Sequence, residues 1–183
     1  MRVHPDAQKV LDFWFDEQHQ PYWFNKNDAF DEAIKRQFGD VLTQAAACEL
    51  SEWRTTVEGR LAEIIVLDQF SRNIYRNSPQ AYAQDDIALA LAQEALKKEG
   101  YVALCPVQKK FILMPFMHSE SRVIHERCLP YFEALQDELT LDYELRHKAI
   151  IDRFGRYPHR NAILNRTSTP EEQDFLKQPG SAF

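Results

Sequence analysis

Three stretches of this chain combine groups that can transfer protons with groups that can hold negative charge. The first, FILMPFMHSE, ends a long apolar run on His118, Ser119 and Glu120. Imidazole exchanges protons near neutral pH, and a carboxylate beside it can orient it. The stretch therefore predicts a general acid or base at His118. Alternatively, Ser119 caps the next helix and His118 satisfies a buried carbonyl.

The second stretch, DQFSRNIYR, places Asp68 and Arg72 four residues apart, so that both lie on one face of a helix. Ile64 lies one turn earlier on the same face, which points the pair toward protein rather than water. A carboxylate and a guanidinium buried there must be paired or hydrogen-bonded. With Asn73 beside them, they predict either an ion pair that fixes the helix or an anion site built on Arg72.

The third stretch, DRFGRYPHRN, begins the most basic part of an acidic chain. From Arg153 to Arg166 there are four arginines and one histidine but no acidic residue. Planar donors at this density suit a carboxylate or a phosphate, or equally the carboxylates of the other two stretches. The candidate ligand-binding residues of this stretch are Arg153, Arg156, His159, Arg160 and Asn161.

We expect the three stretches to meet in one hollow that is open to solvent. The preferred hypothesis is a pocket that binds a small anionic or peptide-like ligand. Its proposed anchors are Arg72, Arg156, Arg160 and Asn161. Asp68, Asn73, His118, Glu120, Arg153 and His159 complete the predicted lining.

Two other functions stay open at this point. One is a small hydrolase-like site in which His118 or His159 carries the proton and Glu120 or Asp68 orients it. The other is a non-catalytic helical scaffold that binds a protein or peptide partner, in which the polar residues only hold the helices together. The sequence identifies no protein partner.

Several classes of site lack their sequence signatures. His118-x-Glu120 matches the H-x-E element of zinc deaminases, but neither P-C-x-x-C nor H-E-x-x-H occurs. With five glycines in the chain, neither a P-loop, nor G-x-G-x-x-G, nor a nucleophile elbow can be drawn. We therefore expect no metal and no cofactor. The cysteines, Cys48, Cys105 and Cys128, are odd in number and widely spaced, which predicts reduced thiols.

Charge and hydropathy limit the possible partners. The formal net charge of −6 repels a phosphate backbone, so nucleic acid is not an expected partner. No apolar run approaches the roughly 20 residues that a membrane-spanning helix needs. The N-terminal MRVHPDAQKV has no apolar core of a secretory signal, so we expect a cytoplasmic protein.

Apolar residues recur at spacings of three and four along the chain, which predicts one all-α domain over residues 1–183. We expect seven to eight antiparallel helices stacked in pairs, as in a tetratricopeptide-like array, although no 34-residue repeat is present. Pro115 should bend or end the fifth helix. The first two predicted helices begin near Pro5 and Asp28, and the third covers Thr56 to Tyr75. The fourth begins near Asp85, and the next three cover Pro106 to Met117, Glu120 to Leu135 and Leu141 to Arg153. A short last helix follows Thr169.

The motifs LDFWF, LDQFSRNIYR, FILMPFMHSE, RFGRYPHRN and STPEEQDFL occur in that order. In these motifs the chain resembles the bacterial DUF924 family over almost its full length. The resemblance implies an all-α, tetratricopeptide-like fold but no established reaction. Two positions depart from the family pattern. Asn165 stands where glycine is common and tolerates a left-handed backbone, and Ser71 stands where proline is common, which relaxes the backbone before Arg72.

Overall fold

The computed structural model describes residues 2–182, and within them the chain forms eight α-helices and no strand. The third helix runs without a break through Val57–Ile65, the π-helical turn Val66–Phe70 and Ser71–Ile74. The predicted all-α class is therefore confirmed. The helices are α1 (Pro5–Trp14), α2 (Asp28–Ala46), α3 (the three segments just given), α4 (Asp85–Ala95), α5 (Pro106–Met117), α6 (Arg122–Ala134), α7 (Glu138–Phe154) and α8 (Pro170–Phe175).

The helix ends follow local side-chain chemistry. Asn27 and Thr56 each accept a hydrogen bond from a backbone N–H in the first turn of the helix that follows. Thr169 and Glu172 form a reciprocal capping box at the start of α8. At the other end of a helix, α7 stops at Gly155, whose φ of 70° is left-handed. Local sequence therefore sets where most helices begin and end.

Two boundaries differ from the sequence prediction. The helix α6 begins at Arg122, with Ser121 rather than Ser119 at the N-cap position. The helix α7 begins three residues earlier than predicted, because the Asp137 side chain accepts the Thr140 amide and so extends the first turn. Asn165 has a φ of 54°, the left-handed backbone expected at that position.

The centre of the fold is α3, which packs against α1, α2, α4 and α5. Every residue from 61 to 71 is buried, so polar groups on this helix must find protein partners. The π-helical turn Val66–Phe70 includes Asp68 and ends directly before Ser71 and Arg72. Such turns are rare and are found frequently at functional sites.

The remaining helices pack against their neighbours in the chain. Contacts join α4 to α5, α5 to α6, and α6 to α7, and α5 also reaches α7. Ile150, Ile151 and Tyr157 form a second small core, against which Phe154 and Phe175 pack. Within residues 2–182 no helix combines the length and apolar character that crossing a bilayer requires. The tetratricopeptide-like arrangement stays a prediction.

Candidate functional site

A cavity of about 230 Å³ lies where the end of α5 meets the start of α4 and the segment that follows α7. Its polar lining comes from all three regions. The charged and hydrogen-bonding groups around it are Tyr82, Asp85, Asp86, His118, Ser119, Glu120 and Arg160.

The lining residue His118 contacts Asp68, which lies buried behind it. Asp68 has no exposed surface, and its Oδ1 lies 2.7 Å from His118 Nδ1. Its second oxygen accepts a hydrogen bond from Gln69 Nε2 at 2.6 Å. Burial works to raise the pKa of Asp68, but the charges of Arg72 and His118 outweigh burial and hold that pKa below its ordinary value. Asp68 is therefore an ionised, buried carboxylate.

The protonation of His118 follows from its partner. An ionised carboxylate only accepts hydrogen bonds, so the proton of the neutral ring is on Nδ1. Burial and the charge of Arg72 lower the pKa of His118 against the pull of Asp68, so the ring is neutral at pH 7. Its Nε2 makes no hydrogen bond within residues 2–182, and 15% of the side chain is exposed beside the cavity. His118 thus presents an unprotonated nitrogen.

Arg72 is occupied by protein carboxylates rather than by open space. Its guanidinium donates to both oxygens of Asp85 at 2.8 and 3.0 Å. It also donates to the backbone and side-chain oxygens of Asp68 at 2.9 and 3.1 Å. Burial works to lower the pKa of Arg72, but these two carboxylates raise it above the ordinary value. Arg72 therefore joins α3 to α4 and stabilises the charge of Asp68.

Arg160 is less fully paired. Its guanidinium lies between the rings of Tyr82 and Tyr157, 4.5 and 4.6 Å from their centroids. Nη2 donates to the His118 carbonyl at 2.9 Å, whereas Nη1 reaches Asp85 only at 3.5 Å, the outer limit of a hydrogen bond. Nε has no partner among residues 2–182, although the side chain is only 7% exposed. Arg160 keeps donor capacity at the cavity.

Glu120 is held by another arginine. Arg166 donates to its two oxygens at 2.6 and 2.8 Å, and the Tyr157 amide donates at 2.7 Å. Burial works to raise the pKa of Glu120, but these donors lower it. The carboxylate that orients His118 is therefore Asp68, and Glu120 ties the end of α5 to the segment after α7.

Of the ten predicted residues, His118, Glu120 and Arg160 line the cavity. Asp68 and Arg72 contact residues of that lining, and four others lie away from it. Asn73 donates to Asp31 at 2.7 Å, beside a separate surface hollow of about 270 Å³ near the start of α2. The other three pair with residues near or within α8. Arg153 binds Glu171, Arg156 binds Glu172, and Asn161 binds Ser168 and Glu172.

His159 is half-buried and is not among the residues that line the cavity. Burial and the charge of Arg160 lower its pKa to about 4. The four arginine and asparagine anchors expected from sequence therefore do not converge. Arg160 lines the cavity, Arg72 is paired with Asp68 and Asp85 behind the lining, and Arg156 and Asn161 fasten α8.

Sequence reasoning missed the residues that complete the site. Asp85 and Asp86 lie in the first turn of α4, where the helix dipole favours acids whether or not they have a partner, so their types gave no sign of a site. Tyr82 gave no signal, since a single aromatic residue in a turn is not distinctive. Among residues 2–182, no three His, Cys, Asp or Glu side chains lie together as metal ligands would.

Comparison with known proteins agrees with this fold. The model of the family described as "Bacterial protein of unknown function (DUF924)" matches residues 10–180. A solved structure of a protein of unknown function, ATU0120 from Agrobacterium tumefaciens, is similar with a TM-score of 0.88 and 36% sequence identity. That similarity covers 93% of this chain and 96% of the other. A comparison with curated proteins found no match. The chain belongs to the DUF924 family.

Proposed function

We propose that the cavity binds a small peptide-like ligand and that His118 acts on it as a general base in a hydrolysis reaction. The observation that carries the proposal is the state of His118. Its Nδ1 is fixed by the buried carboxylate of Asp68, and its Nε2 is unprotonated, unused and beside a cavity. A neutral imidazole with a fixed ring and a pKa lowered from its ordinary 6.5 is suited to proton abstraction at pH 7.

The size and charge of the cavity support a small ligand with two polar ends. A volume of about 230 Å³ is below the roughly 300–1,000 Å³ of pockets for drug-sized molecules. The Nη1 group of Arg160, which reaches Asp85 only at 3.5 Å, suits a ligand carboxylate. Asp86 lines the same cavity and makes no ion pair within residues 2–182, so it can accept an ammonium group. A zwitterion the size of a dipeptide has a carboxylate for Arg160 and an ammonium group for Asp86.

The reaction uses water as the nucleophile. Ser119 lines the cavity, but no hydrogen bond joins its hydroxyl to His118. His118 Nε2 therefore takes a proton from a water molecule as the water oxygen attacks the carbonyl carbon. Arg160 balances the negative charge of the transition state. The imidazolium, stabilised by Asp68, then returns the proton to the leaving amine as the carbon–nitrogen bond breaks.

A scaffold role is supported for a different part of the molecule. Arg153, Arg156 and Asn161 are paired with α8 or its flanking residues, so these groups hold helices together rather than bind a ligand. The proposal sets the protein in the cytoplasm, because Cys48 and Cys105 are exposed free thiols, which suit a reducing compartment.

The test combines binding with turnover. Alanyl-alanine, alanyl-glycine and alaninamide are titrated calorimetrically into the wild type, His118→Gln and the control His4→Gln, and hydrolysis is followed by proton NMR. We expect both dipeptides to bind all three proteins. Turnover should fall by about 10²- to 10⁴-fold in His118→Gln alone. Binding without turnover in the wild type would refute catalysis, and the absence of any binding would refute the pocket.

A further inference from the structure

Three consecutive backbone carbonyls at the end of α5 each accept a hydrogen bond from a buried side chain. The three donors come from α6 and from the segment after α7, so the backbone on both sides of His118 is held from outside its own helix. Tyr157 Oη donates to Met117 O at 2.5 Å, Arg160 Nη2 donates to His118 O at 2.9 Å, and His125 Nε2 lies 2.8 Å from Ser119 O.

This arrangement differs from an ordinary helix end. The last carbonyls of a helix lack intrahelical partners and are met by water, by a tightened last turn or by side chains. The end of α7 shows the common solution, a backbone bond from Gly155 to the Ile151 carbonyl. The end of α5 has a backbone bond of the same kind, from His118 to the Met114 carbonyl, and in addition three nearly or fully buried side chains bind the carbonyls of Met117, His118 and Ser119.

The donor His125 is itself fixed by a buried carboxylate. His125 and Glu144 have no exposed surface, and Nδ1 lies 2.6 Å from Glu144 Oε1. Because the Ser119 carbonyl can only accept, Nε2 of His125 must carry a proton. Tyr157 Oη lies 3.2 Å from the same nitrogen and can accept from it, since its own proton goes to Met117 O. The contact between Nδ1 and Glu144 Oε1 holds a second proton, so every proton in the group has an acceptor.

Stability alone does not explain such a group. A buried carboxylate and imidazole lose their hydration, and well-packed apolar residues in their place are often as stabilising or more so. Glu144 Oε2, moreover, has no hydrogen-bond partner among residues 2–182. What the arrangement does is fix the backbone of His118, and in that position His118 Nδ1 lies 2.7 Å from Asp68 Oδ1.

We propose that Tyr157, His125 and Glu144 are positioning residues that hold His118 in register with Asp68. The inference rests on the proposed function, because it assigns these residues to the same general base. It predicts that loss of the Tyr157 hydroxyl or of the Glu144 charge changes the state of the His118 ring although neither residue touches it.

The experiment reads that ring directly. Long-range proton–nitrogen NMR spectra of the imidazoles are recorded across pH, and His118→Gln assigns the His118 signals. The variants are Tyr157→Phe, which removes one hydroxyl, and Glu144→Gln. Their matched controls are Tyr131→Phe and Glu133→Gln, which alter exposed residues of α6.

In the wild type we expect a single neutral form of His118 with the proton on Nδ1. In Tyr157→Phe and Glu144→Gln we expect a mixture of the two neutral forms and a His118 pKa that moves toward its ordinary 6.5, with no change in the controls. A lower melting temperature with unaltered His118 signals in Tyr157→Phe would overturn the inference. If the His118 signals respond as expected but alanyl-alanine does not bind, the positioning role stands and the proposed hydrolysis falls.

Discussion

Replacing Asp68 with asparagine tests the most central contact of the site. The carboxylate is fully buried and meets three donors, from His118, Gln69 and Arg72, at 2.7, 2.6 and 3.1 Å. An amide has one acceptor oxygen, so at least one of these donors would face an N–H group. Breaking a buried ion pair by removing one partner costs about 3–5 kcal/mol. Because Arg72 keeps Asp85, we expect the lower end, about 3 kcal/mol.

The stability assay for Asp68→Asn is urea unfolding at pH 7, followed by circular dichroism. A loss of about 3 kcal/mol corresponds to a melting temperature lower by about 6–12 °C for a chain of this size. The matched control is Asp86→Asn, which alters a carboxylate of the same cavity that has no ion pair within residues 2–182. A loss for Asp68→Asn below about 0.5 kcal/mol, the range of surface substitutions, would refute the reasoning.

The pH dependence of that loss gives an independent check. The pKa of Asp68 is lower in the folded protein than its ordinary 3.8, so folding favours the ionised form. The stabilisation is fully present above the ordinary pKa and is lost as pH falls through the folded value. The difference between wild type and Asp68→Asn should therefore narrow below about pH 4. A difference that does not narrow there would contradict an ionised Asp68.

Three further predictions concern other parts of the molecule. NMR titration should give His118 a pKa below 6.5, and because its folded pKa is depressed, acidification below pH 6.5 should destabilise the wild type more than His118→Gln. Arg156→Gln should lower the melting temperature less than Asp68→Asn does. Its effect should shrink from pH 4.5 toward pH 2, because the hydrogen bond from Arg156 lowers the pKa of Glu172 to about 2. Gly59→Ala should cost about 3 kcal/mol or prevent folding, since a Cβ there would lie 1.9 Å from the Trp53 carbonyl oxygen; a melting temperature equal to wild type would contradict this.

The helices could be predicted because their signals are local. Asn27 before α2, Pro106 at the first position of α5 and Gly155 after α7 each act through contacts within one turn. The inward direction of Asp68 and Arg72 also followed from helical periodicity, since a spacing of four puts them on the face of Ile64. These inferences need no knowledge of how the helices pack.

The pairing of the charges could not be predicted in the same way. Arg72 meets Asp85, 13 residues away, and Arg166 meets Glu120, 46 residues away. Any arginine of the basic segment can pair with any carboxylate at nearly equal free energy, so only the packing of α3, α4, α5 and α8 selects the partners. For this reason Arg156 was expected at the ligand pocket but lies against Glu172.

A comparison of two histidines in this chain separates a structural from a functional interpretation of the cavity. His125 has no exposed surface and uses both nitrogens, Nδ1 toward Glu144 and Nε2 toward the Ser119 carbonyl. That is the arrangement expected of a histidine that holds other protein groups in place, because an unused buried polar atom costs free energy. His118 uses one nitrogen in the same way, yet its other nitrogen has no partner within residues 2–182 and the ring lines a cavity. The fold already contains the means to satisfy a second imidazole nitrogen. At His118 this second partner is absent and the nitrogen is left beside the cavity, where water or a ligand can bind it.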